Sequence, residues 1–75
     1  MTDKKRTKKF AEVILPLAAE GTFTYEVPYD FDYVGSGSRV LVNFGKQKMY
    51  AGIVRALHNN APDYNTKPLS DVLEK

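Results

Sequence analysis

No cysteine occurs in the sequence, and histidine occurs once, as His58. Disulfide staples and thiolate metal sites are therefore excluded, and one imidazole cannot build a zinc site alone. The missing cysteine also fits a reducing compartment. No apolar run approaches the roughly 18 residues of a membrane-spanning helix, and no apolar segment follows the basic start as in a secretory signal. A cytoplasmic protein without membrane contact is expected. No GxxxxGK[ST] loop is present, and Gly35-Ser36-Gly37 is too short to cradle phosphate. Ser36, Ser38 and Ser70 have only His58 as a candidate base, with nothing to place them together. No catalytic residue and no metal ligand is assigned, and no enzyme is expected of this chain.

Acidic residues are absent from Tyr33 to Pro62, a stretch that carries Arg39, Lys46, Lys48 and Arg55. The overall charge of +2 hides an uneven split. Five of the eleven basic residues and one of the nine acids lie in residues 1–9, so the remaining chain has more acids than bases. Such a body is not a generally basic surface for coating nucleic acid, and any nucleic-acid contact must be local. Residues 1–9 show no apolar periodicity and read as a disordered tail, either a solvated arm or a source of extra phosphate contacts. The 75 residues allow one small domain over residues 10–75, and 43% hydrophobic residues supply a thin core. Burial of a large apolar side chain contributes about 1.5–3 kcal/mol, so a dozen only just offset chain entropy.

The centre of the pattern is Ser38–Val54. Val40, Val42 and Phe44 alternate with Arg39, Leu41 and Asn43, as on a strand with one buried face. Gly45 to Lys48 then reads as a turn, followed by a β-rich run over Met49–His58. Gly52 interrupts that run and marks a bulge or a close backbone approach. Upstream, Phe10–Leu15 is a strand ended by Pro16, with Ala11, Val13 and Leu15 on one face and Glu12 and Ile14 on the other. Thr22–Val27 alternates cleanly and ends at Pro28; Phe23 and Tyr25 on one face are either core or a stacking platform for bases. Residues 28–37 form an aromatic and acidic surface loop. Lys67–Leu73 reads as a short final strand, Lys67 being extended ahead of Pro68. The chain stops at Lys75 without a capping signal, as expected at a junction between modules. These periods describe an all-β fold, a small barrel or sandwich of about five strands.

Four segments in order carry a resemblance: AEVILPL (11–17), TFTYEVP (22–28), GSRVLVNFGKQKMYAGIV (37–54) and YNTKPLSDVL (64–73). Together they resemble the amino-terminal DNA-binding domain of the primosomal replication-restart helicases, the PriA family. Membership implies a small β-barrel related to the oligonucleotide-binding (OB) fold. It implies a domain that holds the 3′ end of single-stranded or nascent DNA at a stalled replication fork and so orients the helicase. Its partners would be that DNA end, helicase modules of the same polypeptide and other primosome proteins. No cofactor is implied for this chain; ATP, magnesium and zinc belong to the helicase modules. Carried over by position, the 3′-end pocket falls on Phe23, Thr24, Gly45 and Lys67. Some relatives carry Asp at the position of Thr24, where a carboxylate accepts the 3′-hydroxyl proton; a threonine hydroxyl accepts without charge assistance. The resemblance leaves Phe23 as pocket wall or core and Lys67 as ligand or solvated surface. Lys46 and Lys48 are either backbone-phosphate contacts or ordinary solubilising residues. Arg39 and Arg55 are read as structural or rim residues, and His58 as an exposed strand end. A second function class stays open: a protein-interaction or interdomain docking barrel, motivated by the acidic body and the aromatic loop Tyr29–Tyr33.

Overall fold

The computed structural model describes residues 8–18, 21–31, 33–46 and 48–74. Of the expected basic tail over residues 1–9, residues 1–7 lie outside the described residues, and Lys9 already begins the first strand. Five strands follow in chain order: β1 (Lys9–Ile14), β2 (Phe23–Val27), β3 (Arg39–Asn43), β4 (Met49–His58) and β5 (Asp71–Glu74). One 3-10 turn, Tyr29–Phe31, lies between β2 and β3. All strand pairs are antiparallel, and the sheet order is β2-β1-β4-β3-β5.

The alternating apolar positions become the core. Ala11 and Val13 of β1, Tyr25 and Val27 of β2, Val40 and Val42 of β3 and Val54 of β4 form one buried cluster with Leu15, Val34 and Leu69. The β-branched residues among them have few rotamers to lose and pack well on a pleated surface. Tyr25 is core, and its hydroxyl donates to the Asn43 carbonyl oxygen at 3.0 Å; burial pushes its phenol pKa up. Phe10 departs from the pattern. It lies on the Glu12 face of β1 but is only 3% exposed, with the His58 ring stacked on it at 5.9 Å.

Gly52 marks the closest approach in the sheet. A Cβ there would lie 2.6 Å from Val13 Cγ1 and 2.7 Å from both the Ile14 carbonyl oxygen and Leu15 Cδ2. Only glycine lets β4 pass β1 this tightly. The bulge falls close by: Glu12 pairs with Ala56 and Val13 with Val54, so Arg55 is the extra residue on β4. A bulge bends and further twists its strand. The Arg55 carbonyl is not wasted, since it accepts the Ser36 hydroxyl at 2.7 Å.

The expected barrel does not form; the sheet is open, with β2 and β5 at its edges. The two edges are linked by one parallel bridge between Glu26 and Pro68. Glu26 N–H donates to the Lys67 carbonyl at 2.9 Å, and Leu69 N–H donates to the Glu26 carbonyl at 3.0 Å. Pro28, which follows the last residue of β2 and has no N–H to give, stops that bridge from growing past Val27. The chain then leaves β2 for β3: Ser70 N–H donates to the Leu41 carbonyl at 2.8 Å, and β5 begins at Asp71. The expected strand over 67–73 is thus a bridge at one end and a strand at the other.

Replacing Gly52→Ala should force β1 away from β4 and cost about 1–3 kcal/mol, as overpacking does in a tight core. Urea denaturation measures this; an unchanged midpoint would show that the approach is not tight in solution.

Candidate functional site

The one-residue bridge leaves a gap beside the Phe23–Tyr25 half of β2, and that gap is a cleft of about 300 Å³. Phe23, Thr24 and Tyr25 line it from β2; Asn43, Phe44 and Gly45 line it from the end of β3 and the turn after it. The third wall is the loop that leads to β5, from Tyr64 to Lys67. Its size is at the lower end of small-ligand clefts. All four residues assigned to the pocket by resemblance, Phe23, Thr24, Gly45 and Lys67, therefore meet in one place. Lys46 and Lys48 do not line it; both are exposed in the turn beyond Gly45, where the Lys48 carbonyl accepts Phe44 N–H at 2.8 Å.

Each wall is held by a specific contact. Phe23 and Phe44 meet edge-to-face, ring centroids 4.9 Å apart, and Phe44 meets Tyr50 the same way at 6.2 Å. Such pairs fix ring planes beyond what area burial alone does. Phe23 is half-buried, so it is both core and wall. Gly45 has φ +70°, a left-handed conformation that favours glycine, and a Cβ there would meet no atom within 4 Å. The Lys67 ammonium donates to Asn43 Oδ1 at 3.0 Å and to the Gly45 carbonyl at 3.2 Å. An ammonium has three donors, so one remains. Lys67 carries the only formal charge among the lining residues.

Thr24 contributes in a way its side chain does not suggest. Its hydroxyl donates to Glu12 at 2.7 Å, on the face away from Tyr25. Thr22 donates to the other carboxylate oxygen at 2.7 Å, and His58 Nε2 lies 2.7 Å from the oxygen that Thr24 uses. His58 is thus a half-buried partner of Glu12 rather than a bare strand end. The backbone of Thr24 is another matter. Glu26 turns its N–H and C=O outward to residues 67–69. In a strand that direction repeats every second residue. Thr24 N–H and C=O therefore face the same open edge, where they meet the cleft.

Burial alone would raise the Glu12 pKa, but the hydrogen bonds from His58, Thr22 and Thr24 outweigh it and hold the carboxyl below its usual range. Arg39 and Arg55 lie elsewhere. Arg39 pairs with Glu74 at 3.7 Å on the exposed sheet face. Sequence reasoning missed Asn43, Phe44 and the wall from Tyr64 to Thr66. Asn43 and Phe44 sit at the end of an alternating strand and look like its ordinary continuation. Among the described residues no group of three or more His, Cys, Asp or Glu is placed to hold a metal.

An open OB-like antiparallel sheet, with an aromatic cleft and one anchored lysine at its edge, defines a small binding module. The family model described as 3′DNA-binding domain (3′BD), that of PriA, matches residues 12–75. The chain therefore belongs to the PriA 3′ DNA-binding domain family. A search of curated proteins gives no match.

The lowered Glu12 pKa has a sign. Its contribution to stability is present above the unfolded-state value near 4.5 and is lost as pH falls through the lower folded-state value. Wild type should lose more urea resistance between pH 7 and pH 3 than Glu12→Gln. Equal losses would show that the carboxylate network does not stabilise the fold.

Proposed function

We propose that the cleft captures the terminal nucleotide of a single-stranded 3′ end with a free hydroxyl, at an abandoned replication fork, and so orients the helicase modules that share its polypeptide. The observation that carries the reading is the convergence of Phe23, Thr24, Gly45 and Lys67 on one cleft from three separate elements. Phe23 and Phe44 offer an apolar wall that supports a base through its face, which every base has, so sequence preference is weak. The spare donor of Lys67 meets the phosphate that precedes the terminal sugar. The Thr24 carbonyl on the open edge accepts the 3′-hydroxyl proton, a role that does not need the Asp that some relatives carry at this position. A terminal phosphate would bring two negative charges against the Thr24 carbonyl oxygen, while the spare donor of Lys67 is already given to the preceding phosphate. Lys46 and Lys48 act further out, on the backbone of the strand as it approaches.

A docking role has its own support on the opposite face. Ile14 and Ile53 pair across β1 and β4 while each is 47% exposed. That face is where helicase modules or another primosome protein would sit, and it is separate from the cleft.

Fluorescence anisotropy with two short single strands of one sequence tests the first reading. The strand with a free 3′ hydroxyl should bind about tenfold or more tightly than its 3′-phosphorylated twin, the usual effect of leaving a polar group unsatisfied. Lys67→Ala should flatten the dependence of log K on log salt by about 0.7, one phosphate on a single strand. Equal affinity for the two ends, with salt-sensitive binding, would mean that the cations only attract phosphates.

A further inference from the structure

The cleft does not end at its third wall. Tyr64, Asn65 and Thr66 also line a second cleft of about 340 Å³, whose far side holds Lys8, Phe10 and Pro62. The loop ahead of β5 is thus a ridge between two hollows. Tyr64 is on that ridge and is 59% exposed, the most exposed large hydrophobic side chain among the described residues. The other rings nearby are engaged: Phe23 with Phe44, Phe44 with Tyr50, and Phe10 with His58. Tyr64 stacks on no ring and its hydroxyl bonds no group among the described residues.

A large exposed ring costs hydration, and Tyr64 makes no ring contact or side-chain hydrogen bond among the described residues to offset it. Placed between two hollows it offers both a face and an amphipathic edge. A strand whose last nucleotide occupies the first cleft must leave over one of its walls. The β2 side is backed by β1 of the sheet, and the β3 side by Phe44 in contact with Phe23. The ridge is the side that leads to another hollow. Charge points the same way, because Lys8 flanks the second cleft. Glu26 also lines it, so phosphate is favoured on the Lys8 side of the second cleft.

We propose that Tyr64 is the stacking platform for the second base from the 3′ terminus, and that the strand continues over the ridge into the second cleft beside Lys8. This rests on the end-capture reading, because the register is counted from the captured end. The ligand is single-stranded DNA of any sequence, since stacking does not read base edges.

The test uses the whole chain and five-nucleotide strands with a free 3′ hydroxyl, either intact or with one abasic site at each position in turn. Tyr64→Ala should weaken binding of the intact strand about tenfold, and Tyr64→Phe should stay within about twofold of wild type. In wild type an abasic site at the second position should cost about as much as Tyr64→Ala, and the two losses should not add. Unchanged affinity of Tyr64→Ala, with the 3′-hydroxyl preference intact, would overturn the Tyr64 assignment alone. A second-position abasic loss that persists in full in Tyr64→Ala would do the same. Loss of hydroxyl preference in wild type would overturn the end-capture reading and this register together.

Discussion

One backbone bridge decides the shape of this domain. Glu26 exchanges both its hydrogen-bonding groups with the 67–69 segment, and nothing else ties β2 to that segment's backbone. Buried or half-buried backbone groups must find partners, and a longer ladder would have been the usual answer. Pro28 prevents it past Val27. With the bridge limited to one residue, the edge of β2 stays open above it. The carbonyl of Lys67, fixed by the bridge, brings the lysine side chain to Asn43 and Gly45 across the gap. The cleft is the space between a one-residue bridge and a turn that the lysine holds.

On the proposed end-capture reading, closure would remove the site. A closed barrel would pair the Thr24 backbone with another strand and fill the cleft. An exposed edge carries aggregation risk, which natural sheets limit by shortening the edge or covering it. Here β2 has five residues and β5 four, and a loop covers part of the first edge. The remaining open groups are the ones that a strand end can satisfy. Outside the cleft, the rigidity comes from the middle of the sheet, where Gly52 lets β1 and β4 pack without a gap.

Much of this was legible in the residues. The alternation in β1, β2 and β3 marked the buried faces, and Gly52 and Gly45 marked a close approach and a turn. Closure was not legible, because alternation says which face is buried and not which edges meet. Thr24 was read through its hydroxyl, since side chains are what a sequence displays; the backbone direction depends on which neighbour β2 pairs with. Tyr64 lies in a loop without periodicity, so no pattern distinguished it from a solvated residue. His58 was misjudged for a related reason, since its partner Glu12 lies on a strand far away in sequence.

The most direct measurement is the map of backbone amide shifts on adding a short single strand that ends in a free 3′ hydroxyl. If the cleft holds the terminal nucleotide, the largest shifts will fall on Phe23, Thr24, Gly45 and Lys67, with Ile14 and Ile53 unmoved. Shifts confined to Lys46, Lys48 and their neighbours, or to the Ile14–Ile53 face, would contradict end capture.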